Sequence, residues 1–162
     1  MSNLKKSLRT LRFKELFSLS IASGGFVGFL PVCPGTFGAL EGAVIFWFFK
    51  DFPLLNQTFL TICLSILGIL TASWSKPLFN KEDPDEIVID EIAGMWFSLI
   101  GKTNLWEFIL GFVLFRVIDI TKPFPLKRLE SLPSGTGIMA DDIAGGILTN
   151  ALLIVIKLFK PV

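Results

Sequence analysis

Residues 54–74 contain no charged side chain. About 20 apolar residues in helical form cross the hydrocarbon core of a bilayer, so this run fixes the solvent in which the chain folds. Composition agrees: 52% of residues are hydrophobic and 18% charged, with a mean hydropathy of +0.67, whereas an average soluble domain is about 25% charged. The other apolar segments are shorter, at 37–49, 87–101 and 104–120. The C-terminal half of a last helix, 138–159, is apolar enough to reach into the membrane. Strands are disfavoured, because open sheet edges cannot face lipid. The expected fold is all-α: a small integral-membrane helical bundle with short, partly re-entrant or interfacial helices, forming one domain over residues 1–162.

The ends of these segments suggest a topology. Residues 1–15 hold Lys5, Lys6, Arg9, Arg12 and Lys14 against Glu15 alone. This basic leader, with leucines between its charges, suits an anionic membrane surface. The following apolar stretch is broken by serines and glycines, which argues against a cleaved signal peptide. Residues 37–49 and 54–74 read as a hairpin with its tight turn outside. Residues 87–101 and 104–120 read as a second hairpin, and the loops 75–86 and 121–137 lie inside. Basic residues favour the inside ends only slightly, and the leader decides the orientation. Residues 16–32 are then re-entrant or interfacial, since a crossing there would put the leader on the wrong side.

Composition also excludes functions. A net charge of +1 provides no basic field for nucleic acid. The absence of histidine removes the commonest general base and metal ligand. Cys33 and Cys63 sit in apolar runs and read as small buried hydrophobes, not as a disulfide framework.

The placement of the acids is the informative signal. Asp90, Glu91, Asp119, Asp141 and Asp142 lie inside or at the mouths of apolar helices, where ionised groups are expensive and mark function by default. On the topology above, all five collect at the cytoplasmic end of the bundle. Carboxylates crowded in one place repel, and cations relieve that repulsion. Oxygen ligands without histidine or cysteine suit Mg²⁺. Helix capping is the competing account. It covers Asp141 or Asp142 and Asp90, but not Asp119 at a helix C-terminus.

Arg116, Asp119 and Lys122 recur at i, i+3 and i+6, and the first two share a helix face. Beside a metal site they suggest phosphate recognition; alone they are a structural ion-pair cluster. The turn Pro34-Gly35-Thr36 opens a helix whose N–H groups can bind phosphate, and Gly135-Thr136-Gly137 precedes another. Known phosphatase chemistries can be tested against these residues. A cysteine phosphatase needs arginine six residues after its cysteine, but positions 39 and 69 are Ala and Ile. The Asp-x-Asp pattern fails at Asp119-Ile120-Thr121. Water attacking phosphorus at a metal–carboxylate site remains.

Four strings are specific together. Pro34-Gly35-Thr36-Phe37-Gly38, Val88-Ile89-Asp90-Glu91 through Trp96, Phe115-Arg116 through Pro125 and Gly137-Ile138 through Gly145 resemble, in order, the signature blocks of the phosphatidylglycerophosphatase A family. That resemblance covers the chain from about residue 16 onward. It implies a small all-helical Mg²⁺-dependent enzyme of the bacterial inner membrane, with its active site facing the cytoplasm, that removes the terminal phosphate of the phospholipid phosphatidylglycerophosphate. Asp90, Glu91, Asp119, Asp141 and Asp142 would then hold Mg²⁺. Asp90, Glu91, Asp119 and Asp142 would carry the chemistry, with Glu91 the choice of base. Arg116, Lys122, Gly35 and Thr36 would hold the phosphate. A cation-binding membrane protein without chemistry and a phosphatase of a water-soluble ester are the alternatives. Nothing in the sequence sets the oligomeric state.

Overall fold

Prolines and glycines divide the chain into helices whose lengths decide which of them reach across a membrane. The computed structural model describes residues 12–79, 81 and 84–159, so Lys5, Lys6 and Arg9 of the basic leader lie outside the described residues. Among the described residues there are six α-helices: α1 (Phe13–Ala22), α2 (Pro34–Trp47), α3 (Leu54–Ser75), α4 (Ile89–Leu99), α5 (Leu105–Thr121) and α6 (Gly135–Phe159). Short 3₁₀ turns occupy Val27–Phe29, Lys76–Leu78 and Leu126–Ser131. Two stretches of 25 residues, Leu54–Leu78 and Gly135–Phe159, are long and apolar enough to cross a membrane. At 1.5 Å per residue, the 10 residues of α1 and the 11 of α4 fall well short of the roughly 30 Å hydrocarbon thickness.

Helix α3 is built inside out. Its buried face is Gln57, Thr61, Ser65, Gly68, Thr71, Ala72 and Ser75, whereas Leu55, Phe59, Ile62, Ile66, Leu70 and Trp74 are exposed. Small and hydroxyl-bearing residues let backbones approach closely in lipid, where large apolar side chains face outward. The hydroxyls of Thr61, Ser65 and Thr71 donate to carbonyls one turn earlier on their own helix, so none is left bare.

Helix α4 is buried nearly all round, with only Glu91 and Phe97 short of full burial. Such a helix belongs in a core. It packs on α2, α3, α5 and α6 and forms the axis of the bundle. The crossing with α6 is made by glycines: a Cβ on Gly146 would lie 2.1 Å from the Gly94 carbonyl oxygen, and one on Gly94 2.6 Å from that of Asp142. This backbone contact draws Asp142 toward the first turn of α4.

Several expectations are corrected. The 37–49/54–74 hairpin does not form as a packed pair. Helix α2 packs on α4 and α5, while α3 packs on α1, α4 and α6, so α4 takes the place between them. The last helix begins at Gly135, three residues before the expected start. Asp141 and Asp142 are therefore within its second turn and cannot be N-caps. Cys33 and Cys63 are exposed, because Cys63 falls on the outward face of α3 and Cys33 in the turn before α2. The reading of residues 16–32 is not overturned: they fold as most of the short α1, a turn through Gly24 and Gly25 at positive φ, and one 3₁₀ turn, with no helix long enough to span.

Candidate functional site

Five chain segments deliver side chains to one end of the bundle: the N-termini of α2 and α4, the C-termini of α3 and α5, and the second turn of α6. Asp90 and Glu91 stand in the first turn of α4, where the helix dipole favours negative charge. The N-cap of α4 is Val88, and no side chain caps the helix, so neither acid is used as a cap. Oxygens of Asp90, Glu91 and Asp142 come within 4.8 Å of one another, a spacing that can hold a metal ion. Asp142 is close enough to Asp119, Glu91 and Asp141 to feel the charge of all three.

The other two predicted acids are engaged with cations. Asp119 accepts from Arg116 Nη1 one turn away on α5, which answers the unfavourable charge at a helix C-terminus. The same Arg116 Nη1 lies 3.9 Å from Glu91 Oε1 and so bridges α5 to α4. Lys122 Nζ donates to Asp141 Oδ2 at 2.5 Å and pairs with Glu130 Oε1 at 2.7 Å. Burial opposes the Lys122 charge, but these two carboxylates override it and raise its pKa. Lys122 adopts φ 39°, a left-handed conformation costly outside glycine. It ends α5 and stands before Pro123, while its Nζ reaches α6.

The buried polar ledger is incomplete here. Among the described residues, Glu91 Oε2, Asp141 Oδ1, Asp142 Oδ2 and Arg116 Nε have no hydrogen-bond partner. Buried polar atoms are nearly always paired, so three carboxylate oxygens and a guanidinium nitrogen left unpaired at one place set this end of the bundle apart. Burial pushes the Glu91 carboxyl up to about 7; the neighbouring Asp119 charge adds to this, and the Asp90 hydrogen bond and Arg116 oppose it.

The predicted phosphate turn is present in altered form. A Cβ on Gly35 would lie 2.0 Å from Glu91 Oε1 and 3.4 Å from Arg116 Nη1, so glycine is needed for α2 to meet the acids. The N–H groups of Thr36 and Phe37 are both spent on the Cys33 carbonyl, and Pro34 has none. Gly35 therefore carries the remaining N–H of that turn. At the second Gly-Thr-Gly the glycines serve close packing, and the first N–H is engaged. Gly135 N–H donates to Ser73 Oγ at 3.0 Å, and Cβ atoms on Gly135 and Gly137 would strike the carbonyls of Ile69 and Leu132.

Sequence reasoning missed two residues that line the polar cavity at this end. The cavity, about 130 Å³, is bounded by Lys76, Asp90, Lys122, Glu130, Gly137, Ile138 and Asp141. Lys76 counted only toward topology and Glu130 was unnoticed. Lys76 directly follows the span of α3, and that boundary position was the available signal. Two further acids of apolar helices were overlooked. Glu41 on α2 has a buried oxygen without a partner, and Glu107 on α5 is buried at the opposite end of the bundle.

With this geometry in view, the relatives become informative. The sequence model of the phosphatidylglycerophosphatase A family matches residues 20–157. The chain belongs to the phosphatidylglycerophosphatase A family. It is 34% identical over 137 residues to the phosphatidylglycerophosphatase A of Escherichia coli K12, covering 82% of this chain and 79% of that protein. The protein of the same name from Haemophilus influenzae is 31% identical over 142 residues, with 85% and 86% covered. A Bacteroides thetaiotaomicron protein, provisionally named a phosphatidylinositol-3-phosphatase, is 33% identical over 147 residues, with 85% and 91% covered. No solved structure matches the chain. Family membership and the apolar exterior together mark the chain as a membrane-associated enzyme of phospholipid metabolism.

Proposed function

We propose that this chain is a Mg²⁺-dependent lipid phosphomonoesterase. It hydrolyses phosphatidylglycerophosphate to phosphatidylglycerol and phosphate in phospholipid biosynthesis, at the cytoplasmic face of the bacterial inner membrane. The observation that carries this reading is the convergence of Asp90, Glu91 and Asp142 beside Arg116 and Lys122, at one end of a bundle with an apolar exterior.

The donor set fits a hard divalent cation: oxygens only, two of them lacking any partner. Asp90, Glu91 and Asp142 would hold Mg²⁺, with Asp119 and Asp141 as anionic neighbours that keep Arg116 and Lys122 in place. When bound, the ion supplies positive charge for the phosphoryl oxygens and lowers the pKa of water. The remaining work falls to side chains of this chain. Arg116 Nε and Nη1, with the Gly35 N–H and the Thr36 hydroxyl, orient the phosphate. Lys122 and Lys76 face its ester side across the polar cavity. Glu91 Oε2, which has no hydrogen-bond partner among the described residues, takes the proton from the attacking water. The water oxygen bonds to phosphorus, the ester P–O bond breaks, and the proton passes to the departing glycerol oxygen.

The provisional name of the Bacteroides relative favours a second lipid, with its phosphate on an inositol ring. Purified protein offered phosphatidylglycerophosphate, phosphatidylinositol 3-phosphate and glycerol 3-phosphate decides between them. Phosphate release from the first lipid alone supports the proposal. Preference for the second lipid would change the substrate, and preference for glycerol 3-phosphate would overturn the lipid reading.

A further inference from the structure

A second cavity is chemically opposite to the first. It measures about 310 Å³, the size at which small-ligand sites begin, and is lined by apolar side chains alone. It lies between α2 and α5, with Leu40, Val44 and Phe48 on one wall and Phe112, Ile109 and Leu105 on the other. Leu40, Val44 and Ile109 are each about half exposed, so the groove opens sideways.

Its position follows from helix periodicity. Thr36, Leu40 and Val44 step by four along α2. Arg116, Phe112, Ile109 and Leu105 step by four, three and four along α5. Each set is one stripe of its helix. The stripes that line the groove are thus the ones that carry Thr36 and Arg116 at the site end, where Gly35 and Arg116 almost touch. The groove runs about 12 Å along α2, from Leu40 to Phe48 at 1.5 Å per residue, and begins one turn from Thr36; the distance from Thr36 to its far end, about 18 Å, is on the scale of one extended acyl chain. A lipid with its phosphate at Arg116 has its tails pointing away from the interface, which is the direction this groove takes.

We infer that the α2–α5 groove is the binding site for one acyl chain of the substrate, a long-chain glycerophospholipid, and that it aligns the headgroup with the acids. This rests on the lipid-phosphatase reading above. The groove gives chain-length selectivity to a centre that would otherwise see only a phosphate ester. Bulk bilayer lipid without register to the site is the competing occupant.

The test uses the full chain in detergent micelles and two readouts. Val44→Trp and Ile109→Trp fill the groove from exposed positions outside the reaction centre. Each raises KM for dipalmitoyl phosphatidylglycerophosphate by roughly tenfold or more, since most methylene contacts are lost. Hydrolysis of the dibutanoyl lipid, too short to enter the groove, stays near the unsubstituted rate. Equal effects of the tryptophans on both lipids, or none on either, would overturn the inference. Independently, the unsubstituted protein is irradiated with a phosphatidylglycerophosphate bearing a diazirine at the end of one acyl chain. Adducts concentrated on α2 and α5 groove residues support the site; labelling spread evenly over the exposed faces of α3 and α6 overturns it. Failure of the unsubstituted protein to release phosphate from either lipid would contradict the phosphatase reading instead, and the labelling pattern still decides the groove.

Discussion

At the C-terminal end of α4 the buried charged and amide side chains are paired, and at its N-terminal end the buried charges are not all paired. Asn150 Nδ2 reaches the carbonyls of Phe97, Ser98 and Ile100, and so caps the buried helix end. Lys102 Nζ donates to Asn150 Oδ1 at 3.0 Å, and Gln57 Oε1 accepts the Gly101 N–H at 2.8 Å. Glu107 accepts from the N–H groups of Thr103 and Asn104 and from Lys157 Nζ. Both ends bury charge at comparable depth, and each ionisable group is expensive there. Among the described residues, the closed end leaves the Trp96 indole Nε1 without a partner but no charged group. The open end leaves oxygens on Glu91, Asp141 and Asp142 without a partner among the described residues. Burial of charge alone therefore does not separate the two ends, whereas the pairing of the buried charges does.

The sharpest way to break this contrast is one substitution at each end. Asp142→Asn removes a central oxygen of the open cluster. Phosphate release should fall by roughly a thousandfold, while thermal unfolding of the metal-free protein stays level or rises because repulsion is relieved. Asn150→Leu at the closed end should do the reverse. Three carbonyls lose their donor, which destabilises the fold by about 3 kcal/mol, while kcat per folded molecule is unchanged. Denaturation curves and steady-state rates on both variants read the two effects together.

Smaller effects sharpen the boundary of the open end. Lys76 borders the polar cavity without a carboxylate pair among the described residues. Lys76→Met should raise KM about tenfold with little change in kcat, the loss expected for one charged contact to the ester side. Glu91 gives a pH signature. Its carboxyl titrates near 7 in the folded protein against 4.5 in its ordinary state, so the stability it contributes is present below pH 4.5 and lost as pH rises through about 7. Metal-free protein should unfold a few degrees lower at pH 8 than at pH 5.5, and Glu91→Gln should remove most of that slope.

Much of the open end was legible in the sequence because chemistry selects residue types there. Acids in apolar helices are conspicuous against lipid, and the i, i+3 relation correctly paired Arg116 with Asp119. What could not be read was packing. The 87–101 segment has the composition of a spanning arm, and only its neighbours show that α4 is an 11-residue axis buried on all sides. The packing of the 37–49 and 54–74 helices was hidden for the same reason, since their adjacency in sequence says nothing about a third helix between them. The small-residue face of α3 is its interior, a pattern that hydropathy hides. Glu107 has the same residue type as Glu91, and its quiet role depends on Lys157, fifty positions away. Lys76 escaped because a basic residue at the end of a span ordinarily marks an interface.

On the proposed function, the N-terminal end of α4 binds the cation and its C-terminal end does not. Titration of the purified protein with Mn²⁺, followed by electron paramagnetic resonance, tests it directly. The account predicts saturable binding by the unsubstituted protein and by Asn150→Leu, with binding lost in Asp142→Asn. Unchanged binding in Asp142→Asn, or loss of binding confined to Asn150→Leu, would contradict it.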